Sequence, residues 1–189
     1  TTLKAAVDVL HADGVIVAPT ETVYGLMCRW DCSQARERIF RMKRRATEKP
    51  LQMLTGGLAG ALRAGVVGEQ RLQRLAAAFW PGPLTVVAVG GRGETIGVRV
   101  PRHALVLALV QALGEPLAAT SANLSGEPPA RSALEAVARL AEMPDLIIDG
   151  GPVPPDAGTP STVVDLSVPG DIRILREGPI TEAALRRVL

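Results

Sequence analysis

The sequence predicts an α/β fold: a single domain with a twisted mixed (parallel/antiparallel) sheet flanked by helices. Three observations carry this. Short apolar runs of strand length are interspersed with stretches of helical spacing, without strict β-α alternation. Paired β-rich runs near residues 84–100 and 162–175 point to antiparallel elements. Neither an internal repeat nor a low-complexity linker divides the 189 residues.

Taken in order, Leu3, Ala6, Val7 and Leu10 share a helical face, and Gly14 then opens a buried strand from Val15 to Ala18 that Pro19 bounds. A polar loop runs from Thr20 to Tyr24, followed by a helix over Ser33 to Met42 with Ile39 and Met42 inward. Leu51 to Leu54 is strand-like, and Gly56-Gly57 a turn. Glu69 to Phe79 repeats leucine at helical spacing until Pro81-Gly82-Pro83 stops it. Leu84 to Val89 and Ile96 to Val100 are strands joined by Gly90-Gly91-Arg92-Gly93, and His103 to Leu113 is apolar enough for a buried helix. Leu117 to Thr120 is a strand, Ser132 to Ala141 a helix and Leu146 to Ile148 a strand. Residues Gly150 to Pro160 are turn chemistry; strands at Thr162 to Leu166 and Ile172 to Leu175 and a helix at Thr181 to Val188 complete the chain.

Composition narrows the function classes. Hydrophobic residues make up 47% and charged residues 21%, an ordinary globular balance, while aromatics are only 3%, so Ala, Val, Leu and Ile must build the core. A net charge of +2 does not by itself imply nucleic acid. Cys28 and Cys32, spaced C-x3-C with two histidines in the whole chain, fall short of a four-ligand zinc site, so reduced thiols in a cytoplasmic protein are expected. No secretory leader and no apolar stretch of about 20 residues is seen, so no membrane span is expected.

The informative residues are polar clusters at the ends of strands, where α/β folds bind ligands. Thr20 and Thr22 offer hydroxyls in the first loop, which could equally cap itself. Lys43, Arg44, Arg45 and Lys49 suit a polyphosphate, or else complement the negative end of a helix. Arg99 interrupts a β-run, either as a solvent-facing arginine or as a clamp on a carboxylate. Thr120-Ser121-Ala122-Asn123-Leu124-Ser125-Gly126 can bind a ligand or form an Asx turn, and Ser161-Thr162 repeats that pattern in miniature. The chain has no G-x-S-x-G, no P-loop and no H-E-x-x-H. A cationic, hydroxyl-rich site without an obvious nucleophile works by positioning and charge stabilisation.

Together these clusters resemble the YrdC/TsaC family of threonylcarbamoyl-AMP synthases. The matches run in family order over nearly the whole chain. They begin with P-T-E-T-x-Y-G-L at Pro19 to Leu26, K-x-R at Lys43 and Arg45, K-P-L at Lys49 to Leu51 and P-G-P-x-T at Pro81 to Thr85. G-V-R-x-P follows at Gly97 to Pro101, then T-S-A-N-x-S-G at Thr120 to Gly126, S-T-V-V-D at Ser161 to Asp165 and I-L-R-x-G at Ile174 to Gly178.

The resemblance implies a YrdC-like domain over 1–189 with a concave, cationic face, joining L-threonine, bicarbonate and ATP into threonylcarbamoyl-adenylate and pyrophosphate. By likeness, Lys43, Arg45, Ser121 and Asn123 are the catalytic set around ATP, with Lys49, Thr95 and Arg176 as further nucleotide contacts. Thr20, Arg99, Thr120 and Ser161 form the threonine pocket. Mg²⁺ accompanies ATP, with no protein ligand assigned to it. Downstream tRNA threonylcarbamoyl-transferase proteins take the product, for the adenosine beside the anticodon. Two other readings are a carbamoyl-adenylate synthase of the hydrogenase-maturation type and a module contacting double-stranded RNA or ribosome precursors. The sequence departs from the family where Gln52-Met53-Leu54 lacks the histidine many relatives carry after K-P-L, and where Ala46 replaces a common proline. Longer relatives append a second domain, so the chain corresponds to the short form.

Overall fold

The computed structural model describes residues 2–46, 50–154 and 158–189. Its elements in chain order are α1 (Thr2–His11), β1 (Ile16–Pro19), β2 (Tyr24–Arg29), α2 (Ser33–Lys43), β3 (Gln52–Leu54), α3 (Leu58–Arg63), α4 (Gln70–Phe79) and β4 (Leu84–Val89). They continue with β5 (Thr95–Arg99), α5 (Ala104–Leu113), β6 (Leu117–Ser121), α6 (Ala133–Ala138), β7 (Leu146–Ile147), β8 (Thr162–Asp165), β9 (Arg173–Arg176) and α7 (Glu182–Arg186). All the strands join one sheet in the order β7-β1-β2-β6-β3-β5-β4-β8-β9. The β1/β7, β3/β5 and β4/β8 pairs are parallel and the others antiparallel, including the expected β4/β5 and β8/β9 pairs.

Side chains alternate across a strand, so each strand divides its residues between the two faces. On one face, α2 and α6 pack on Val15, Val17, Tyr24, Leu26 and Ala118. On the same face, α3, α4 and α7 pack on Met53, Leu84, Val86, Ile96, Val98 and Val164. Met53 pairs with Ala118, which makes these two clusters one layer. The opposite face carries α1 and α5 over Ile16, Ala18, Met27, Leu54, Leu117 and Ala119. Those two helices cover β1, β2, β6 and the Leu54 end of β3. Beyond them, no helix among the described residues packs on the same face of β5, β4 and β8.

Two elements escape the sequence pattern. β2 is buried on both faces, so its residues do not alternate, and the reading stopped at the polar loop before it. α3 has six residues with Ala61 as its one buried side chain, too short to display a helical period. α6 ends earlier than expected because the Ala141 N–H donates to Met42 O at 2.9 Å, a tertiary bond in place of a helical one. Cys28 and Cys32 are free thiols. Burial pushes the Cys28 thiol up to about 12, while Cys32 Sγ accepts from Ala35 N at the start of α2. No helix among the described residues is long and apolar enough to cross a membrane.

Candidate active site

The open half of the sheet forms the floor of a cavity of about 270 Å³. Alternation puts Thr85 and Val87 of β4, Thr95, Gly97 and Arg99 of β5, and Ser161 and Val163 beside and on β8 into it. Their neighbours Leu84, Val86, Ile96, Val98 and Val164 enter the core on the other side. The rim adds Thr22, Arg45, Thr120, Ser121 and Arg176, so three arginines line the space and, among the described residues, no carboxylate does.

Arg99 is 3% exposed and is held from behind. Nε donates to Gly82 O at 3.2 Å and Nη1 to Thr22 Oγ1 at 3.1 Å. Nη2 lies 2.7 Å from Glu21 Oε1, an ion pair whose N–H is not aligned for a hydrogen bond, so the guanidinium retains donor capacity. Glu21 is itself fixed by accepting from Arg102 N at 2.9 Å. Gly82 can present its carbonyl only as glycine, since a Cβ there would stand 2.4 Å from Phe79 O.

Lys43 ends α2 and is 1% exposed. Its ammonium donates to Ser121 O, to Asn123 O at 2.6 Å and to Asn123 Oδ1 at 3.2 Å. Asn123 Nδ2 donates onward to Leu124 O and Glu127 O, and Ser125 N to Lys43 O, so the loop after β6 wraps around the lysine. Burial, with Arg45 beside it, pushes the Lys43 ammonium down to about 7. Arg44 caps α2 in the left-handed conformation, φ 48°, and the turn delivers Arg45 to the cavity rim. There Arg45 reaches Thr120 Oγ1 at 3.5 Å and Pro50 O at 3.1 Å, and burial pushes its guanidinium down.

At the far end, Arg176 donates through Nε to Ser161 O at 2.9 Å and through Nη2 to Ser161 Oγ at 3.1 Å. The residue as a whole is exposed, but its guanidinium is tucked against β8; that desolvation and nearby Arg99 push it down. Arg45, Arg99 and Arg176 thus line one cavity with the buried Lys43 behind it; Glu21 balances Arg99 from outside the wall, and among the described residues no carboxylate lines the cavity itself. Such a field attracts an anion.

The model of the Sua5/YciO/YrdC family, described as "Telomere recombination", matches residues 8–178. The chain belongs to the Sua5/YciO/YrdC family. Among its curated relatives, a threonylcarbamoyl-AMP synthase of Rattus norvegicus is 40% identical over 191 residues, covering 93% of this chain and 66% of the relative. One from Stenotrophomonas maltophilia is 40% identical over 161 residues, 79% of this chain and 86% of the relative. The fold is similar to the crystal structure of P. abyssi Sua5 complexed with L-threonine, at TM-score 0.90 and 31% identity, covering 99% of this chain and 57% of that one. The chain therefore spans about two thirds of the rat protein and little more than half of the archaeal one. The phosphate- and nucleotide-bound HypF structure shares the fold at TM-score 0.79 with 18% identity.

In this Sua5/YciO/YrdC chain, seven of the residues singled out by sequence line the one cavity: Arg45, Thr95, Arg99, Thr120, Ser121, Ser161 and Arg176. Lys43 and Asn123 lie behind Ser121 rather than on the cavity wall. Lys49 falls outside the described residues. Thr20 is not on the cavity wall: its Oγ1 donates to Val23 O at 2.7 Å and accepts from Thr22 N and Val23 N, shaping its own turn, while Thr22 faces Arg99. The sequence reading assigned no site role to Gln52 or Thr85, which the cavity includes. Thr85 stood in the P-G-P-x-T match, and Gln52 in the Gln52-Met53-Leu54 stretch that lacks the histidine many relatives carry.

Proposed function

We propose that the chain is a threonylcarbamoyl-AMP synthase, joining L-threonine, bicarbonate and ATP into threonylcarbamoyl-adenylate and pyrophosphate. The observation that carries this reading is the convergence of Arg45, Arg99 and Arg176 with the hydroxyls of Thr22, Thr120 and Ser161 on one cavity. A buried, back-braced arginine suits an amino-acid carboxylate, and the outer cations suit a polyphosphate. The likeness to the archaeal Sua5 structure with L-threonine supports the first assignment, and the names of the curated relatives support the reaction.

The threonine amine attacks bicarbonate, and its proton leaves with the displaced hydroxide as water, giving a carbamate. A carbamate oxygen then attacks the ATP α-phosphate in line, and pyrophosphate departs with the electrons of the broken P–O bond. Arg99 fixes the threonine carboxylate, with Thr120, Ser161 and Thr22 around the amino acid. Arg45, Arg176 and Thr95 contact the nucleotide, and Lys49 belongs with them. Lys43, held by Asn123 and the Ser121 carbonyl, regains its full charge as the triphosphate arrives and steadies the negative charge that accumulates on phosphorus. Among the described residues no carboxylate of the wall would hold Mg²⁺, which would be carried by the ATP phosphates and would supply charge neutralisation there. Downstream tRNA threonylcarbamoyl-transferase proteins then transfer the group to tRNA, and the free thiols suit a cytoplasmic setting.

The test is pyrophosphate release with each substrate omitted in turn. Dependence on both threonine and bicarbonate is expected. Release supported by carbamoyl phosphate in place of threonine would point to a carbamoyl-adenylate synthase. Thermal stabilisation by double-stranded RNA but not by ATP with threonine would point to an RNA-contacting module.

A further inference from the structure

One polar chain in the cavity ends in two residues, Thr85 and Gln52, that have no role in the assignments above. Arg176 Nη2 donates to Ser161 Oγ at 3.1 Å, Ser161 Oγ and Thr85 Oγ1 lie 2.8 Å apart, and Thr85 Oγ1 is 3.0 Å from Gln52 Oε1. The direction of this chain follows from its ends. An arginine can only donate, so Ser161 Oγ is an acceptor there. Ser161 is 1% exposed and Thr85 4%, and no described protein group other than Thr85 accepts from the serine hydroxyl. Ser161 therefore donates to Thr85, Thr85 donates to the side-chain oxygen of Gln52, and the amide orientation is fixed by its neighbours. The reverse order would bury an unpaired serine proton. What remains for the cavity is the Gln52 Nε2 group with its two N–H bonds, for which no acceptor exists among the described residues.

The place of that donor is set by the strands. β3 runs parallel to β5 with Met53 opposite Val98, which puts Gln52 beside Gly97. Gly97 leaves a notch there: a Cβ would stand 3.5 Å from Thr85 Cγ2 and 3.8 Å from Gln52 Cβ. Arg99 lies two residues further along β5, roughly 7 Å at about 3.3 Å per residue, and Thr95 lies the same distance the other way. An amino acid whose carboxylate meets Arg99 carries its amine towards the notch. A carbon attached to that amine then presents its oxygens to Gln52.

We propose that Gln52 is a specificity-determining donor for the one-carbon oxyanion, holding an oxygen of bicarbonate and then of the carbamate, and that Thr85, Ser161 and Arg176 are the positioning residues that aim it. This rests on the synthase reading above and names the residue that recognises its smallest substrate.

The test separates bicarbonate from threonine. For Gln52→Leu, the KM for bicarbonate in pyrophosphate release rises about tenfold, the loss of one or two neutral hydrogen bonds. The Kd for threonine alone, measured calorimetrically, stays within about twofold, because no threonine atom is held by the amide. Gln52→Glu keeps the acceptor for Thr85 but presents an anion, and raises that KM on the order of a hundredfold. Thr85→Val frees the amide to rotate and raises bicarbonate KM severalfold, while Thr85→Ser restores it; this pair serves even if the Gln52 variants fold poorly. Unchanged bicarbonate KM in the variants of both positions overturns the proposal, as does a parallel rise in threonine Kd. A wild-type protein with no threonine-dependent pyrophosphate release overturns the parent reading and this one with it, whereas an active wild type with an indifferent Gln52 overturns this one alone.

Discussion

Replacing Arg99 by alanine isolates the amino-acid end of the cavity from the nucleotide end. The guanidinium is 3% exposed, and Gly82 O and Thr22 Oγ1 take one N–H each while Glu21 balances its charge. Nη2 is buried against Glu21, so Nη1 is the terminal nitrogen that keeps an N–H for a ligand carboxylate. One charge-assisted hydrogen bond at about 1.5–3 kcal/mol gives about a tenfold to hundredfold rise in threonine Kd. The nucleotide contacts assigned to Arg45 and Arg176 do not pass through Arg99, so ATP affinity should change by no more than about threefold. Isothermal titration of each ligand, on protein whose melting curve shows a single cooperative transition, makes the comparison. Arg99→Lys restores the charge but not the fork, and a single ammonium cannot serve Gly82 O, Thr22 and a carboxylate together; it should recover only part of the loss. Equal losses for threonine and ATP, or an unchanged threonine Kd, would refute the assignment.

Burial holds the Lys43 ammonium near 7, and a bound triphosphate draws it back towards its ordinary value of 10.5. ATP binding at pH 8 should therefore take up close to one proton that Lys43→Met does not, read as the dependence of the binding enthalpy on buffer ionisation. The same depression means the folded apo-protein binds fewer protons than the unfolded chain between about pH 7 and 10, so the Lys43 contribution makes stability rise with pH across that window; a fall of the wild type relative to Lys43→Met would contradict it. Gly97→Val should fold normally, since Gly97 has no positive φ, yet close the notch beside Gln52 and cut synthase activity at least about tenfold. Tyr24→Phe removes the hydroxyl that donates to Gly151 O at 2.5 Å and accepts from Gly150 N at 3.1 Å, and should destabilise the protein by about 1–3 kcal/mol in urea without touching substrate affinity.

Much of the site was legible because its residues break local rules. A strand seldom places an arginine among valines, and a serine-asparagine cluster seldom follows an apolar run without purpose; Arg99, Ser121 and Asn123 stood out on those grounds. Thr20 and Thr22 could not be told apart, because both carry the same hydroxyl and only the turn geometry decides which one folds back on the chain. Gln52 was flagged only as part of a stretch lacking the family histidine, since a single polar residue at the start of a strand is ordinary until the neighbouring strand proves to place a glycine, Gly97, on the cavity side.

What the sequence by itself determined was the set of elements with strong periodicity and the chemical kind of the site, because both follow from residue types a few positions apart. The tertiary structure alone decided which face of the sheet the helices leave uncovered, and so which members of each alternating strand meet a ligand. It also decided that Lys43 would be desolvated against Ser121 and Asn123, about 80 residues away in sequence. Sheet order and burial depend on contacts between distant segments, and neither periodicity nor composition encodes those distances locally.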